Sequence, residues 1–449
     1  MRKIFLLSIL ILGLHNLNAQ FSDIKIIDDS PETLGIRHMA TSDFNNNGFN
    51  DIVVAQGSII DQVSIYWNLG DENFNKEIID HSISDPLYIG FGDFNSNNFK
   101  DLIVVTESDG EIFIYDNING EFQERRKLGS VESLGKSVAI SDFDGDGHLD
   151  FIAIGRHSID FYRNDGNGNF TIEHILTTST SPDILELWTI ALADINGNGI
   201  TDVVTGETIG IVVYLNDGNG NFTPHLISKP LHHTVNALAD FDATGNQKPD
   251  LLFHSNSEVG FYTNHSVKDS IHFEYHSELF TAPANSIRRF VIGDFMQNGS
   301  EDLYFTSLKI AYLAVNNSGL LSNKIQVHAE PELFIWTPHA ADITGNGINE
   351  LIWAAAGGTL AYHTHQTVGL NSTDPYWSIF PNPTSNSLEI MTESKTHGRV
   401  SVFSLTGELL FSRQETLPSR IDLTDIPSGM YFIQIETGQG TFSQKFIRK

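Results

Sequence analysis

The stretch Asp142-Phe-Asp-Gly-Asp-Gly-His-Leu-Asp150 decides how the rest of the chain is interpreted. Acidic side chains stand at its first, third, fifth and ninth positions, and two glycines permit a tight turn between them. Apolar runs before and after it predict two β-strands that this loop connects. Because four carboxylates within nine residues repel one another strongly, we expect a cation to lie among them.

This stretch, here called the Asp loop, recurs seven times along the chain. Its copies start at Asp43, Asp93, Asp142, Asp194, Asp240, Asp294 and Asp342. Successive starts are 50, 49, 52, 46, 54 and 48 residues apart, and each repeat holds four short runs rich in β-branched and aromatic residues. Seven such repeats predict an all-β fold with a seven-bladed β-propeller, although an eight-bladed or open array is an alternative.

A propeller ring must close, and the seventh repeat lacks a fourth strand at its C-terminal end. The segment Phe21–Ile27 has the form of a fourth strand and precedes the first Asp loop. We therefore predict that this N-terminal strand completes the last blade, which would tie the ring shut and protect its edge strands.

The Asp loops, together with turns such as Asp165-Gly-Asn-Gly-Asn-Phe170 and Asp217-Gly-Asn-Gly-Asn-Phe222, resemble the FG-GAP/VCBS repeats that also occur in integrin α-subunit heads. The resemblance covers about residues 21–368. It implies a propeller that holds calcium in the loops between the first and second strands of its blades. It does not imply one activity, because such repeats occur in adhesins, lectin-like modules, scaffolds and polysaccharide lyases.

Calcium prefers six to eight hard oxygen ligands, which Asp and Asn side chains at alternating positions can supply. We predict structural calcium at the first four Asp loops, and the alternative is a plain Asx turn without metal. The predicted ligands are Asp142, Asp144, Asp146 and Asp150; Asp43, Asn45, Asn47 and Asp51; Asp93, Asn95, Asn97 and Asp101; and Asp194, Asn196, Asn198 and Asp202. The sixth loop has Met296 at a ligand position, which argues against a hard cation there. The fifth and seventh loops stay undecided.

The first 19 residues have the pattern of a secretory signal peptide. Two basic residues precede an apolar run from Ile4 to Leu14, and Leu17-Asn-Ala19 is a cleavage motif. The run is too short to span a bilayer comfortably, so a signal peptide is favoured over a membrane anchor. We expect residues 1–19 to be removed and residues 20–368 to form the propeller.

Residues 369–375 are a predicted linker, and residues 376–449 a small Ig-like β-sandwich. Within the latter, Phe380-Pro-Asn-Pro383, the run from Asp422 to Tyr431 and the basic end from Gln444 to Lys449 resemble a type A C-terminal sorting domain of the type IX (Por) secretion system. The resemblance implies that the type IX machinery is a partner. It also implies that the protein is secreted or attached to the surface of a Gram-negative bacterium.

The charge balance restricts the class of ligand. The chain has 26 basic and 56 acidic residues, a formal net charge of −30, and no cysteine. Removal of residues 1–19 takes away two basic residues and no acidic one, which leaves −32. Residues 376–449 hold seven acidic and seven basic residues, so the excess lies before residue 376 and, apart from Asp374 of the linker, in the propeller. We therefore expect no nucleic-acid partner and no membrane span in the mature chain, and the absence of cysteine excludes disulfides and thiol chemistry.

A ligand face is predicted at the starts of the innermost strands, opposite the metal loops. Six of the seven repeats place a basic or aromatic residue there. The candidate ligand-binding residues are Arg37, His38, Tyr88, Lys136, Trp188, Arg288, Arg289 and Trp336. Aromatic rings stack on sugars and arginine binds carboxylates, so this funnel would suit a glycan, whether anionic or not. The alternative is that these groups only shield an acidic body and pack the blades.

Two functional classes follow from these observations. The first is a non-enzymatic surface or secreted module that binds glycan or protein. The second is a carbohydrate-active enzyme of the polysaccharide-lyase type, in which Arg, His and Tyr would act as neutraliser and base. Because the sequence has no recognisable catalytic motif, we expect a binding protein, with no catalytic residue assigned.

Overall fold

The computed structural model describes residues 21–70, 72–132, 134–177, 187–207, 210–227, 234–239, 248–254, 258–267, 270–281, 287–295, 301–307, 310–314, 316–317, 320–321, 325–329, 335–355, 357–365, 377–380, 384, 386–392, 395–404, 409–424, 426–437 and 440–448. Most of these residues lie in β-strands, and the helical residues among them form a single turn of 3-10 helix at Pro31–Thr33. None of the helices in these ranges is long and apolar enough to cross a membrane. The predicted signal peptide and linker lie outside the described residues.

Seven four-stranded antiparallel sheets, here called blades 1 to 7, follow one another along the chain. Blades 1 to 3 comprise Ile36–Ser42, Asp51–Gln56, Gln62–Asn68 and Phe74–Asp80; Pro86–Gly92, Asp101–Thr106, Glu111–Tyr115 and Arg126–Ser130; and Gly135–Ser141, Asp150–Gly155, Ser158–Asn164 and Phe170–Thr177. Blades 4 and 5 comprise Leu187–Ala193, Asp202–Glu207, Gly210–Asn216 and Phe222–Leu226; and Thr234–Ala239, Asp250–His254, Glu258–Asn264 and Phe273–Thr281.

Blade 6 comprises Ile287–Gly293, Asp302–Ser307, Ile310–Ala314 and Ile325–Ala329, and blade 7 comprises Ile335–Ala341, Glu350–Ala355, Thr359–His365 and Phe21–Asp28. Blades 2 and 6 carry additional two-stranded hairpins at Asn117–Ile118 with Glu121–Phe122 and at Asn316–Asn317 with Leu320–Leu321.

The first strand of each blade is its inner strand, and the seven inner strands form a closed ring. Each contacts the inner strands of the two neighbouring blades, and Ile36–Ser42 of blade 1 contacts Ile335–Ala341 of blade 7. The predicted all-β propeller is therefore the observed architecture of the described residues.

The N-terminal strand Phe21–Asp28 lies in blade 7, where the sequence pattern places it. It pairs antiparallel with Thr359–His365, and the paired residues run from Phe21 opposite His365 to Asp28 opposite Leu360. The two ends of the ring thus share one sheet, and the outer strand of the last blade comes from the start of the chain.

The hydrophobic core of the propeller lies between blades rather than within them. The second strands are buried along their whole length in blades 1, 2, 3, 4 and 7, because both faces of these strands are covered by neighbouring blades. One cluster joins Phe44 and Val53 of blade 1 to Leu102 and Val104 of blade 2. Similar clusters join the neighbouring blades 7 and 1, 2 and 3, 3 and 4, 4 and 5, and 6 and 7.

The C-terminal unit begins at Gln366 by its internal contacts and contains two sheets. One has the strands Trp377–Phe380, Ser387–Thr392 and Ser419–Asp422, and the other Leu409–Leu417, Thr396–Ser404, Gly429–Thr437 and Gly440–Arg448. Both sheets supply side chains to one core that includes Leu388, Ile390, Val400 and Ile433. This arrangement is a small β-sandwich.

Candidate functional site

The two predicted sites lie at opposite ends of the same strands. Each inner strand starts near a predicted ligand residue, as Ile36–Ser42 does at Arg37, and it ends directly before an Asp loop, here at Asp43. The Asp loops therefore lie on one face of the propeller. The strand starts, here called the channel mouth, lie on the other.

The third Asp loop is a turn held by its own acidic side chains. The Asp142 carboxylate accepts hydrogen bonds from the N–H groups of Gly145 at 2.8 Å and Gly147 at 3.0 Å. Both glycines have positive φ, 76° and 89°, a backbone conformation that disfavours other residues. These hydrogen bonds fix the position of the first carboxylate before any ligand binds.

Three carboxylates of this loop converge. Oxygen atoms of Asp142, Asp144 and Asp146 lie within 4.8 Å of one another, and these are the only three acids or histidines of the described chain that meet this criterion. Arg163 forms an ion pair with Asp144 and also donates to the carbonyl of Asn219 in blade 4 at 3.1 Å. The guanidinium therefore neutralises part of the cluster and would compete with a bound cation for Asp144.

The ninth residue of the loop has a different environment. Asp150 is fully buried, and its two oxygens accept the N–H groups of Phe143 at 3.1 Å and Asn164 at 2.7 Å. Burial raises the pKa of Asp150 to about 6, and the charges of Asp144 and Asp146 add to the shift. The structure thus places Asp150 as an anchor between strands, and it is not one of the three converging carboxylates.

The same arrangement recurs in the other described loops. Asp51, Asp101 and Asp202 are buried and accept two backbone N–H groups each. Burial raises the pKa of Asp51 and Asp101 to about 6 and also raises that of Asp202. In blade 7 a glutamate, Glu350, takes this place and accepts the N–H of Ile343 at 2.8 Å.

The asparagines of the first, second and fourth loops act in Asx turns. Asn47, Asn97 and Asn198 each accept the N–H group two residues ahead at 2.8 to 2.9 Å. The first acids Asp43, Asp93 and Asp194 accept N–H groups four and five residues ahead. The third-position residues Asn45, Asn95 and Asn196 lie in the same turns, where Asn45 and Asn95 accept the N–H of the fifth residue at 3.0 and 3.2 Å.

In the seventh loop, the third residue is Thr344, and its hydroxyl donates a hydrogen bond to Glu350 of the same loop at 3.0 Å. Residues 240–247 and 296–300, which hold most of the fifth and sixth loops, lie outside the described residues.

In the first five blades, a buried asparagine at or just after the end of the third strand joins neighbouring blades, and sequence analysis missed it. The side-chain amide of Asn164 donates to the carbonyl of Leu149 at 3.0 Å in its own blade and to that of Phe94 in the preceding blade at 2.8 Å. This double contact, here called the Asn clasp, is made by Asn68, Asn117, Asn164, Asn216 and Asn264. Its signal in these five blades is an asparagine 14 to 17 residues after the last acid of the Asp loop.

The predicted ligand residues all lie at a β-bulge or directly after one. In six blades the pairing of the inner strand skips the residue six positions before the first acid of the Asp loop. The skipped residues are Arg37, Leu87, Lys136, Trp188, Arg288 and Trp336. In blade 5 the skipped residue is Asn236, four positions before Asp240. A bulge leaves one residue without a cross-strand partner and locally bends the strand. These positions therefore do not follow the regular inward and outward alternation of a β-strand.

In blades 1 to 3, the two predicted basic ligand residues at the channel mouth lie beside acids. Arg37 forms an ion pair with Glu107 and a hydrogen bond to Ser58, and the Lys136 ammonium lies 4.0 Å from the same carboxylate. Asp85 accepts a hydrogen bond from Ser58 at 3.4 Å. The structure therefore corrects the expectation of a basic funnel in blades 1 to 3, because two acids balance the two bases.

Beside these charges, His38 and Tyr88 form a stacked pair. Their ring centroids are 3.8 Å apart with 27° between the planes, and the Nδ1 atom of His38 accepts the N–H of Ile89 at 3.3 Å. The pair lines a cavity of about 370 Å³ at the inner strands of blades 1, 2, 3 and 7. The lining residues are His38, Met39, Ala40, Tyr88, Ile89, Gly90, Phe91, Val138, Ile140 and His339.

The second imidazole of the cavity is held in its neutral form. The Nε2 atom of His339 lies 2.9 Å from the hydroxyl of Thr41, and removal from bulk water lowers the pKa of His339 to about 4. The side chains of Trp188, Arg288, Arg289 and Trp336 lie outside the described part of the structure, so their predicted contribution to a funnel stays a prediction.

Stretches of the propeller and of the C-terminal unit match known protein families. Residues 43–104, 93–153 and 142–205 match the model of the FG-GAP-like repeat, and residues 378–449 match the model of the secretion system C-terminal sorting domain. The chain carries FG-GAP-like repeats and a C-terminal sorting domain. The repeat matches contain the first four Asp loops, and the sorting-domain match contains the β-sandwich. None of the curated proteins compared with the chain matches it.

Solved structures support the propeller fold of this FG-GAP-repeat chain. An Agrocybe aegerita lectin that specifically recognises non-reducing terminal N-acetylglucosamine is 18% identical with a TM-score of 0.50, covering 66% of this chain and 81% of the lectin. BBS1N in complex with ARL6DN is 15% identical with a TM-score of 0.51, covering 78% and 98%. The Cps50 (Swd1) β-propeller domain of Myceliophteria thermophila is 12% identical with a TM-score of 0.50, covering 76% and 99%. At these identities the likeness shows the fold alone.

The sorting domain establishes the route of the FG-GAP-repeat chain. It indicates export by a type IX secretion system in a Bacteroidetes-type bacterium, to the cell surface or the medium. The secretion machinery is therefore one partner of this protein.

Proposed function

We propose that the protein is an exported, calcium-binding propeller that binds glycan or protein at its channel mouth and performs no catalysis. The observation that carries this proposal is the cavity along the inner strands, which joins aromatic and imidazole side chains between the channel mouth and the Asp loops. Concave sites with apolar walls and a few polar groups are the usual form of small-ligand sites. One protein of similar structure is a lectin that recognises terminal N-acetylglucosamine, which is in keeping with a sugar ligand for this propeller.

Calcium fits the third Asp loop by the chemistry of its donors. Asp142, Asp144 and Asp146 offer converging hard oxygens, and Asp142 is already oriented by the N–H groups of the loop. A bound cation would neutralise the mutual repulsion of the three carboxylates and would hold the turn between the first two strands of blade 3. The proposed role of the metal is therefore structural.

The first, second and fourth loops are weaker candidates for calcium. Each has one carboxylate at its first position and amides at its third and fifth positions, while its ninth acid is buried and bonded to the backbone. Because calcium affinity depends on the number of charged ligands, we propose that these three loops bind calcium less tightly than the third loop.

A polysaccharide lyase is the second candidate, and the charge pairing at the channel mouth makes it the weaker one. A lyase acting on uronates needs a cation to neutralise the substrate carboxylate. Arg37 and Lys136, the two predicted ligand bases of blades 1 to 3, share the carboxylate of Glu107. The described cavity thus offers imidazole and phenol groups, while the positive charges of Arg37 and Lys136 already face the carboxylate of Glu107.

Two measurements on the mature protein test the proposed function. Glycan and protein arrays probed at 1 mM calcium and again with excess chelator should give a defined set of bound ligands, and chelation should lower the melting temperature by several degrees. An unchanged melting temperature would remove calcium from the proposal. Binding to no array member, together with release of products from polysaccharides, would favour the lyase.

A further inference from the structure

The following inference rests on the proposed function and specifies the class of ligand. We propose that the channel mouth binds one uncharged sugar residue, which packs against Tyr88 and is hydrogen-bonded by the imidazoles of His38 and His339. The inference depends on three observations: the polarity of the cavity, the charge balance beside it, and its size.

The cavity offers binding groups without charge. Its walls are aliphatic and aromatic, with Phe91, Val138 and Ile140 among them, and its polar side chains are those of two histidines and one tyrosine. No Asp, Glu, Lys or Arg lines the cavity in the described residues. An aromatic wall with a few hydrogen-bonding groups matches a sugar, which has an apolar ring face and a rim of hydroxyl groups.

The charges beside the cavity cancel. Arg37 and Lys136 both lie beside the carboxylate of Glu107. The Ser58 hydroxyl accepts a hydrogen bond from Arg37 and donates one to Asp85. Among the described residues of the channel mouth in blades 1 to 3, these two bases and two acids leave no local excess to attract a carboxylate or sulfate. Lys100, whose ammonium lies 6.0 Å from the centroid of the Phe91 ring, bonds to Ser42 at the opposite end of the inner strand. The propeller carries −31 of the net charge of −32 of the mature chain, so an acidic polymer would also be repelled over the Debye length.

The volume of the cavity limits the occupant to a small group. About 370 Å³ is near the lower end of ligand pockets, which commonly span about 300 to 1,000 Å³. A stable protein interface would instead need about 800 Å² of surface on each partner. A single sugar ring at the end of a chain, or as a branch, is the occupant that this space and polarity favour.

Matched glycosides test the charge of the ligand. The mature protein is titrated in 150 mM salt at pH 7 with methyl galactoside and methyl galacturonide, and with methyl glucoside and methyl glucuronide, by ligand-detected NMR. The members of each pair differ only in a CH₂OH or a carboxylate at the same carbon. We expect at least one neutral glycoside to bind about 10-fold more tightly than its acidic counterpart.

Variants test the location of the site. Tyr88→Ala should weaken binding of the neutral glycoside about 10-fold, Tyr88→Phe should change it less than about 3-fold, and Ile140→Phe should block it by filling the cavity while every polar group remains. The control is Tyr275→Ala, which removes a tyrosine that is 48% exposed on the outer strand of blade 5 and should leave binding unchanged. Circular dichroism confirms that each variant is folded.

Three outcomes would overturn the inference. Tighter binding of the uronides shows that the ligand is acidic, although the proposed glycan-binding function survives. Neutral binding that Tyr88→Ala and Ile140→Phe alter no more than Tyr275→Ala places the site elsewhere on the propeller. Binding of no glycoside excludes a sugar ligand, and the proposed function then stands only if the protein array has given a ligand.

Discussion

At the scale of single residues, each Asp loop contains two kinds of carboxylate, and burial distinguishes them. The acids at positions one, three and five of the third loop converge, with Asp142 and Asp144 partly buried and Asp146 exposed, whereas Asp150 is fully buried and bonded to two backbone N–H groups. Accessible, crowded carboxylates are suited to a cation. A buried carboxylate with saturated oxygens is suited to holding strands together.

This distinction predicts a calcium effect at one position. Asp146→Asn removes one of the three converging charges, so the dissociation constant for calcium should rise at least about 10-fold. The control, Asp165→Asn, lies in an exposed turn of the same blade whose carboxylate bonds to Asn167 and Asn169. Isothermal titration calorimetry measures both variants, and equal calcium affinity for Asp146→Asn and the wild type would contradict the assignment.

His339 predicts a pH effect on stability. Its pKa in the folded protein is about 4, below the value of 6.5 expected for an exposed histidine, so folding favours the neutral form. The resulting stabilisation is complete above pH 6.5 and is lost as the pH falls from 6.5 toward 4. Between pH 7.5 and 5 the wild type should lose about 2 kcal/mol more free energy of unfolding than His339→Gln, a residue that cannot titrate.

Denaturant titrations at the two pH values give this difference directly. The buried acids Asp51, Asp101 and Asp150 have raised pKa values and act in the opposite direction, with stability gained as they take up protons below pH 6. They are present in both proteins, so their contribution cancels in the comparison. Parallel pH profiles for wild type and variant would show that His339 titrates normally.

At the scale of elements, sequence spacing predicted strands and loops well because each has a local signature. The acids and glycines of Asp142–Asp150 specify a turn between strands whatever surrounds them. The Asn clasp was not predicted, because its second acceptor, such as Phe94 for Asn164, lies about 70 residues away in another blade. The pairing of Arg37 with Glu107 was missed for the same reason.

The Asn clasp predicts a large stability difference between two nearby asparagines. Asn164→Ala leaves two buried carbonyls without their donor and should lower the free energy of unfolding by about 2 to 4 kcal/mol. Asn169→Ala removes an exposed contact to Asp165 and should cost about 1 kcal/mol or less. Urea denaturation separates the two, and a similar effect of both substitutions would argue against a structural role of the clasp.

At the scale of the whole molecule, the N- and C-terminal ends of the ring stabilise each other. Phe21–Asp28 is the outer strand of blade 7, and the clasp of Asn68 reaches the carbonyl of Ile343 at 2.7 Å across the same junction. The period of the repeats predicted this closure. The balance of charges at the channel mouth depended on contacts between blades and could be seen only in the assembled ring.

Ring closure predicts the result of a truncation and its rescue. A chain that starts after Asp28 exposes the edge of Thr359–His365 and should unfold at a lower temperature and aggregate. Because Phe21 pairs with His365, the missing strand can be restored by joining residues 21–28 after residue 365 through a short turn. Calorimetry should show that this permuted propeller recovers most of the lost stability, whereas a scrambled strand at the same place should not.

The central claim is that this exported propeller binds its ligand without changing it. The most direct measurement is mass spectrometry of the tightest array ligand after prolonged incubation with a sub-stoichiometric amount of the calcium-loaded protein. We expect all of the ligand to be recovered with its mass unchanged, while a parallel titration shows saturable binding. Accumulation of cleaved or unsaturated products beyond one equivalent of protein would contradict the claim and would make the protein an enzyme.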